Sequence, residues 1–410
     1  MHNKIIVAGL VIFSMVGFIQ GSWFQQNNGT NLLFDIDFPR DNIQTGFACG
    51  ENSYLIKTTT GGSSWTPMHP QPSGNLNALI FPTDEMNGYI ACNSGNVQVT
   101  TDGGENWTLI NVGTSNNLYG IHFPDAPNLG YVVGVAGVIK KTLDNGLNWE
   151  DVSVYPIDLF DVYFRNEQTG WVVGDSGLIF FTEDGGMNWQ VQNSNVTNRL
   201  LGLYFIDELS GWVVGAAKTC LKTTDGGQAW DTFDIPVPAN TDLYSITFVD
   251  AYHGFICGTS GKIVRTVDGG VTWLESANLP DNFYRIAFPA GPMVGWVCGQ
   301  NEAIYKTEDG GWIEEVNSNR VSNQKFIYAL PNPFRNSTSI HAMNNLSNNT
   351  ALKIFDCSGN LINMLSFNRN RIVKWDGRNR NHLHIAPGVY LIELKESYGP
   401  THRLKIVKSD

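Results

Sequence analysis

One pattern returns seven times along this 410-residue chain: a glycine, an aromatic, two small apolar residues and, after a short apolar run, Thr-x-Asp-Gly-Gly-x-x-Trp. Clear copies are Gly170-Trp171-Val172-Val173-Gly174 leading to Thr182-Glu183-Asp184-Gly185-Gly186-Met187-Asn188-Trp189, and Gly254-Phe255-Ile256-Cys257-Gly258 leading to Thr266 through Trp273. The closing tryptophans fall at 65, 107, 149, 189, 230 and 273, so the period runs from 40 to 43 residues. A seventh copy reaches Asp309-Gly310-Gly311, then loses register, with Trp312 three residues after the aspartate where other copies leave five. Units of this size cannot bury a core alone and must stack or close into a ring.

A second marker lies upstream. Leu118-Tyr119-Gly120-Ile121-His122-Phe123 recurs as Leu159 through Phe164 and as Leu243 through Phe248. Period-two alternation marks strands. Each unit reads as strand A (Leu-aromatic-x-Ile-x-Phe), strand B (Gly-Trp-Val-Val-Gly), strand C ending in Thr, and strand D starting at Trp. Four short strands, seven times over, predict an all-β fold: a seven-bladed β-propeller over 22–320, preferred to a solenoid because closure removes the exposed edges. Trp23-Phe24-Gln25-Gln26 reads as a strand D with no A–C before it, and is expected to pair onto the last blade and shut the ring.

The two ends carry other signals. Met1–Lys4 is short and basic, Ile5–Ile19 is apolar, and small residues follow, the layout of a signal peptide over 1–21. Fifteen apolar residues are short for a membrane anchor, so the mature chain is expected to have no transmembrane segment. Residues 327–410 hold 11 Lys+Arg against 5 Asp+Glu, leaving 15 against 33 for the rest out of totals of 26 and 38. An acidic body of this kind argues against nucleic acid as a partner. Cys49, Cys257 and Cys298 occupy one slot of strand B and Cys92 the next, on different blades, which favours buried free thiols over disulfides.

The Thr-x-Asp-Gly-Gly-x-x-Trp element resembles the Asp-box, or bacterial neuraminidase repeat. Its residue types suit a turn: Asp accepts N–H groups, Gly supplies positive φ and Trp packs over the hairpin. Asp102, Asp144, Asp184, Asp225, Asp268 and Asp309 are therefore expected to be structural, with Thr60 and Asn145 as tolerated variants. One carboxylate per turn does not make a calcium loop, and no metal or other cofactor is expected. The whole repeat resembles the photosystem II assembly and stability factor propellers. That family's basic partner-binding patch is not carried over, because Arg40, Arg165, Arg199, Arg265 and Arg285 fall in scattered slots.

After Asn317 the repeat stops. A linker is read over 321–327 and a small β-sandwich over 328–410, with Leu330-Pro331-Asn332-Pro333-Phe334, Asp356-Cys357-Ser358-Gly359, Trp375-Asp376-Gly377 and Pro387-Gly388-Val389-Tyr390 in order. This tail resembles the C-terminal sorting domain of the type IX secretion system of Bacteroidetes. The resemblance implies recognition by that machinery, passage through the periplasm, and secretion or display on the outer-membrane surface.

No catalytic constellation stands out. The sialidase Arg-Ile-Pro signature is missing, and there is no Gly-x-Ser-x-Gly, P-loop or His-Glu-x-x-His. Asp35, Asp161 and Arg285 share one strand A slot and are expected to line the central channel. The leading reading is a non-catalytic module for an extracellular protein or glycan; the alternative is an extracellular glycoside hydrolase using the channel carboxylates. Strand order puts the D–A and B–C loops on the face opposite the Asp-boxes. Glu51, Asp175, Lys218 and Glu302 from B–C turns, and Tyr119, Asp158, Arg199, Asp242 and Tyr284 from D–A connections, are the candidate ligand-binding residues there.

Overall fold

The computed structural model describes residues 23–124, 128–154, 156–311, 327–330, 335–342, 351–356, 360–367, 372–395 and 401–408. The signal peptide expected over 1–21, residues 321–326 of the expected linker, Trp312 and Cys357 lie outside them. Strands and short 3-10 turns make up the regular structure of the described residues, and seven four-stranded antiparallel sheets form the blades of a propeller. In blade four the strands are Leu159–Phe164, Gly170–Gly174, Ile179–Thr182 and Gln190–Gln192, in that spatial order.

The repeated residues explain the repeated packing. The strand B aromatic of each blade lies flat on the strand A phenylalanine of the next. Phe47–Phe81, Tyr89–Phe123, Tyr131–Phe164, Trp171–Phe205, Trp212–Phe248, Phe255–Phe288 and Trp296–Phe38 have ring centroids 3.6–3.9 Å apart. The last of these closes the circle from blade seven to blade one. The same phenylalanine meets the tryptophan of its own Asp-box edge-on, as in Phe205–Trp230 at 5.9 Å and Phe248–Trp273 at 6.0 Å. Such aromatic pairs add to the stabilisation that area burial provides. The glycine opening strand B is required by this arrangement: a Cβ at Gly170 would sit 2.5 Å from the ring of Phe164.

Blade seven takes its outer strand from the other end of the chain. Trp23–Asn27 pairs antiparallel with Ile304–Thr307, and Trp23 lies opposite Thr307. In blade one Thr66 lies opposite Lys57, so Trp65 falls at the same register beside Thr58. Trp23 thus supplies the tryptophan that the seventh Asp-box lacks in register. It is buried, meets Phe288 edge-on at 6.2 Å, and donates from Nε1 to Ser276 Oγ at 3.2 Å.

The Asp-box turn is held as much by its threonine as by its aspartate. Thr182 Oγ1 accepts the N–H groups of Gly186 and Asp184 and donates to Asp184 Oδ1 at 2.8 Å. Asp184 Oδ2 accepts Asn188 Nδ2 at 2.7 Å and Oδ1 also accepts Asn188 N–H at 2.8 Å, and these bonds, with that from Thr182, hold its carboxyl down at about 2. In blade one the Thr60 hydroxyl accepts the corresponding Ser64 N–H at 3.0 Å. Asn145, where other copies place glycine, has φ of 59°, a conformation asparagine tolerates. The five described cysteines are free and buried.

The tail forms two antiparallel sheets. One contains Ile327–Leu330, Thr338–Ala342 and Ile372–Trp375; the other is ordered Leu361–Ser366, Ala351–Asp356, Gly388–Lys395, Thr401–Lys408. Ala329, Ile340 and Trp375 of the first share a core with Leu352, Ile354, Ile392 and Ile406 of the second, which makes a sandwich. Its first strand begins at Ile327, one residue before the boundary expected from sequence.

Candidate functional site

The inner strand of every blade carries the same irregularity. Pairing of strand A with strand B shifts register after the first residue, between Leu33/Asp35, Leu76/Ala78, Leu118/Gly120, Leu159/Asp161, Leu200/Gly202, Leu243/Ser245 and Phe283/Arg285. A bulge of this kind lets two successive side chains face the same way. The second residue of strand A, which simple alternation would send to the face away from the third, joins it in lining the channel. The result is a funnel of about 440 Å³ at the mouth opposite the Asp-boxes. Its walls include Phe34, Tyr119, Phe160, Tyr244 and Tyr284, with Asn77 and Leu201 in the two other positions. Tyr119 and Phe160 stack at 5.8 Å, and Tyr244 meets Tyr284 edge-on at 5.0 Å.

The third residues form the floor. Asp35 Oδ2 accepts Leu79 N–H at 2.8 Å and its Oδ1 accepts Ile36 N–H; Arg285 Nε lies 3.2 Å from the same Oδ1. Asp161 Oδ2 accepts Leu203 N–H at 3.0 Å and its Oδ1 accepts Val162 N–H. Each carboxylate therefore fastens its blade to the inner strand of the next. Burial pushes the Asp161 carboxyl up to about 6, opposed by Arg285. One layer further down, Asp37 Oδ2 accepts Phe81 N–H at 2.8 Å and His122 Nδ1 accepts Phe164 N–H at 3.2 Å. Burial raises Asp37 to about 7 and lowers His122 to about 3, so the imidazole is a neutral acceptor at physiological pH. Asp37 and His122 line a second cavity of about 230 Å³ on the Asp-box side of the waist.

Several rim residues work across blade boundaries. Asp158 Oδ1 accepts Ala136 N–H at 3.0 Å and Asp242 Oδ1 accepts Ala217 N–H at 2.9 Å, each capping the B–C turn of the preceding blade. Glu51 Oε1 accepts Leu32 N–H at 3.0 Å. Glu302 is buried at the ring closure; its Oε1 accepts from Asn31 Nδ2 and from Asn31 N–H, and Oε2 accepts the Tyr54 hydroxyl at 3.2 Å. Asp175 pairs with Arg199 at 3.2 Å, and Lys218 with Asp234 at 2.6 Å. Tyr119 and Tyr284 lie within strand A rather than in the connections before it, and both line the funnel. Phe34, Phe160 and Tyr244 join them there. Their signal was the aromatic second position of strand A, which recurs along the repeats. No group of three or more potential ligands that could hold a metal occurs among the described residues.

Seven blades closed by an N-terminal strand, with Asp-box turns on one face and a funnel on the other, define an Asp-box propeller. The model of the photosynthesis system II assembly factor YCF48 family matches residues 20–118, 106–192, 188–244 and 232–312, well over half the chain, and the chain belongs to that family. Residues 327–409 match the secretion system C-terminal sorting domain. The tail is therefore one that the type IX secretion machinery recognises, and it marks the chain for export to the cell surface or beyond. Among solved structures, "YCF48 bound to D1 peptide" is 20% identical with a TM-score of 0.58, covering 70% of this chain and 94% of its own. YCF48 from Cyanidioschyzon merolae is 19% identical with a TM-score of 0.58, covering 70% and 98%. No curated protein matches the chain. No helix among the described residues is long and apolar enough to cross a membrane.

Proposed function

We propose that this chain is an exported binding propeller without catalytic activity, that the tail directs it through the periplasm and across the outer membrane, and that it holds an extracellular protein or glycan on the funnel face. The observation that carries this reading is the division of labour at the channel. The carboxylates that a hydrolase would need, Asp35 and Asp161, are engaged by main-chain N–H groups of the neighbouring blade, while the aromatic walls above them present half-buried rings. Rigid scaffolds commonly carry recognition in such a mouth. The D1 peptide bound to the solved YCF48 structure is in keeping with a macromolecular partner here.

Two experiments test the reading. A chain lacking residues 328–410 is expected to fold as a propeller but to stay inside the cell; its normal appearance outside would overturn the export assignment. The purified chain is expected to retain a partner from a glycan array or a surface-protein pulldown and to turn over no glycoside or sialoside. Turnover abolished by Asp161→Asn would overturn the non-catalytic reading.

A further inference from the structure

Three features of the funnel coincide. Its walls are aromatic at five of seven positions. Its floor holds two carboxylates and one guanidinium. Its rim carries Glu51, Asp158, Asp175 and Asp242 against Arg199 and Lys218. Ring faces carry negative quadrupole potential and attract cations. The Asp175–Arg199 and Lys218–Asp234 pairs cancel, with Arg199 also 5.8 Å from the Phe160 ring centre, which leaves the Glu51, Asp158 and Asp242 carboxylates; a net acidic rim around low-dielectric walls focuses the attraction into the mouth.

The floor charges are not evenly placed. Arg285 and Asp35 belong to adjacent blades, seven and one, and pair with each other at 3.2 Å. Asp161 belongs to blade four, three blades from either, and so stands on the far side of the channel. Arg285 acts on it through space across the channel, and no cation lies within ion-pairing distance of it among the described residues. Each of its oxygens accepts one N–H, and a carboxylate oxygen has room for a second. Phe160, the residue before it, and Tyr119 stack as a pair on the wall directly above.

We propose that the funnel is a seat for a basic side chain, a lysine or arginine projected by a protein partner, with the aliphatic stem against Tyr119, Phe160, Tyr244 and Tyr284 and the cationic head at Asp161. This rests on the binding reading given above and supplies its ligand chemistry. Lysine and arginine combine an apolar stem with a charged tip, matching an apolar wall that ends on a carboxylate. A glycan would use the same rings, but it would owe nothing to the net acidic rim.

Terminally blocked Gly-Gly-Lys-Gly-Gly, its Arg and Glu counterparts, and maltohexaose serve as probes, titrated into the full chain by ligand-observed NMR. The Lys and Arg peptides are expected to bind more tightly than the Glu peptide, and to weaken several-fold between 50 and 500 mM salt, where the Debye length shrinks from over 10 Å to a few ångströms. Phe160→Ala and Tyr244→Ala are each expected to weaken the Lys peptide about three- to tenfold. Asp161→Asn keeps an oxygen for Leu203 N–H, so the blade contact survives and loss of binding reports on charge; thermal melting checks that each variant is folded. Equal binding of the Glu peptide, salt-independent binding of maltohexaose alone, or unchanged affinity in folded Asp161→Asn overturns the proposal. A surface partner still retained by Phe160→Ala and Tyr244→Ala would overturn it too, while leaving the binding propeller standing. Failure to retain any partner would instead count against that broader reading.

Discussion

Trp23→Ala tests whether the ring depends on its first described residue. In blades one to six the Asp-box tryptophan belongs to the same hairpin as its turn. In blade seven it arrives from the opposite end of the chain, beside Thr307 and on the edge of Phe288, with its indole N–H on Ser276 Oγ. Truncating a buried tryptophan costs about 3–5 kcal/mol. The lost pairing acts twice here, because the ring also fastens the strand that follows it, Phe24 opposite Lys306 and Gln25 opposite Tyr305. At roughly 2–4 °C per kcal/mol for a domain of this general size, the melting temperature should fall by about 6–20 °C. Trp230→Ala, in an intact hairpin with the same edge-on contact to Phe205, is the control. Both variants should lose stability, but only Trp23→Ala should expose residues 283–311 to limited proteolysis below its melting point. A Trp23→Ala protein that melts within about 2 °C of the parent, or that is cleaved no faster in blade seven, would refute closure through this strand.

Two further predictions address single groups. Thr182→Val keeps shape but leaves the buried Gly186 N–H without its acceptor, and should cost about 1–3 kcal/mol in denaturant unfolding; an unchanged midpoint would show that the threonine hydroxyl does not hold the turn. Asp37→Asn keeps an oxygen for Phe81 N–H but cannot ionise. Burial lifts the native carboxyl from 3.8 to about 7, so the unfolded chain ionises first and the parent loses stability as pH rises from about 4 to about 7. The variant should therefore melt above the parent at pH 8 and converge with it below pH 4, and a lower melting temperature at pH 8 would contradict this.

The repeat made the architecture readable because the residues that define it perform the same contact in every blade. Strand B glycine lies under strand A phenylalanine, strand B aromatic lies on the next blade, and the box tryptophan meets the phenylalanine edge. The N-terminal strand was readable too, since a tryptophan followed by short alternation had no hairpin of its own. The funnel was not, for a specific reason. Period-two alternation sends residues two and three of strand A to opposite faces, and the bulge that cancels this leaves no mark in composition. In sequence Asp158 and Asp242 read as candidate ligand-binding residues, because loops on a rigid scaffold carry function more often than the scaffold does. Their hydrogen bonds reach back 22 and 25 residues to the preceding blade's turn, a relation that exists only once the ring is assembled. The threonine of the Asp-box is visible in every copy, but its hydroxyl's double duty as acceptor and donor arises only in the folded turn.

A sevenfold repeat separates two kinds of position by their variation within one chain. The strand A sequence motif closes on phenylalanine in all seven blades, because every blade needs that ring between its neighbour's aromatic and its own box tryptophan. The third position of strand A instead reads Asp35, Ala78, Gly120, Asp161, Gly202, Ser245 and Arg285. A purely structural demand would be the same in each blade, and where Ala and Gly stand the blade joins its neighbour without a polar side chain there. The charges are therefore not required by the propeller as such; they break the symmetry of an otherwise uniform channel. An Arg285–Asp35 ion pair on one wall and Asp161, whose charge Arg285 meets only through space, on the other give the floor a direction, and a ligand entering past the aromatic wall meets a carboxylate outside any ion pair on one side only. Asymmetry of this kind is what a symmetric scaffold needs to bind one orientation of a partner over the seven that its backbone would otherwise allow.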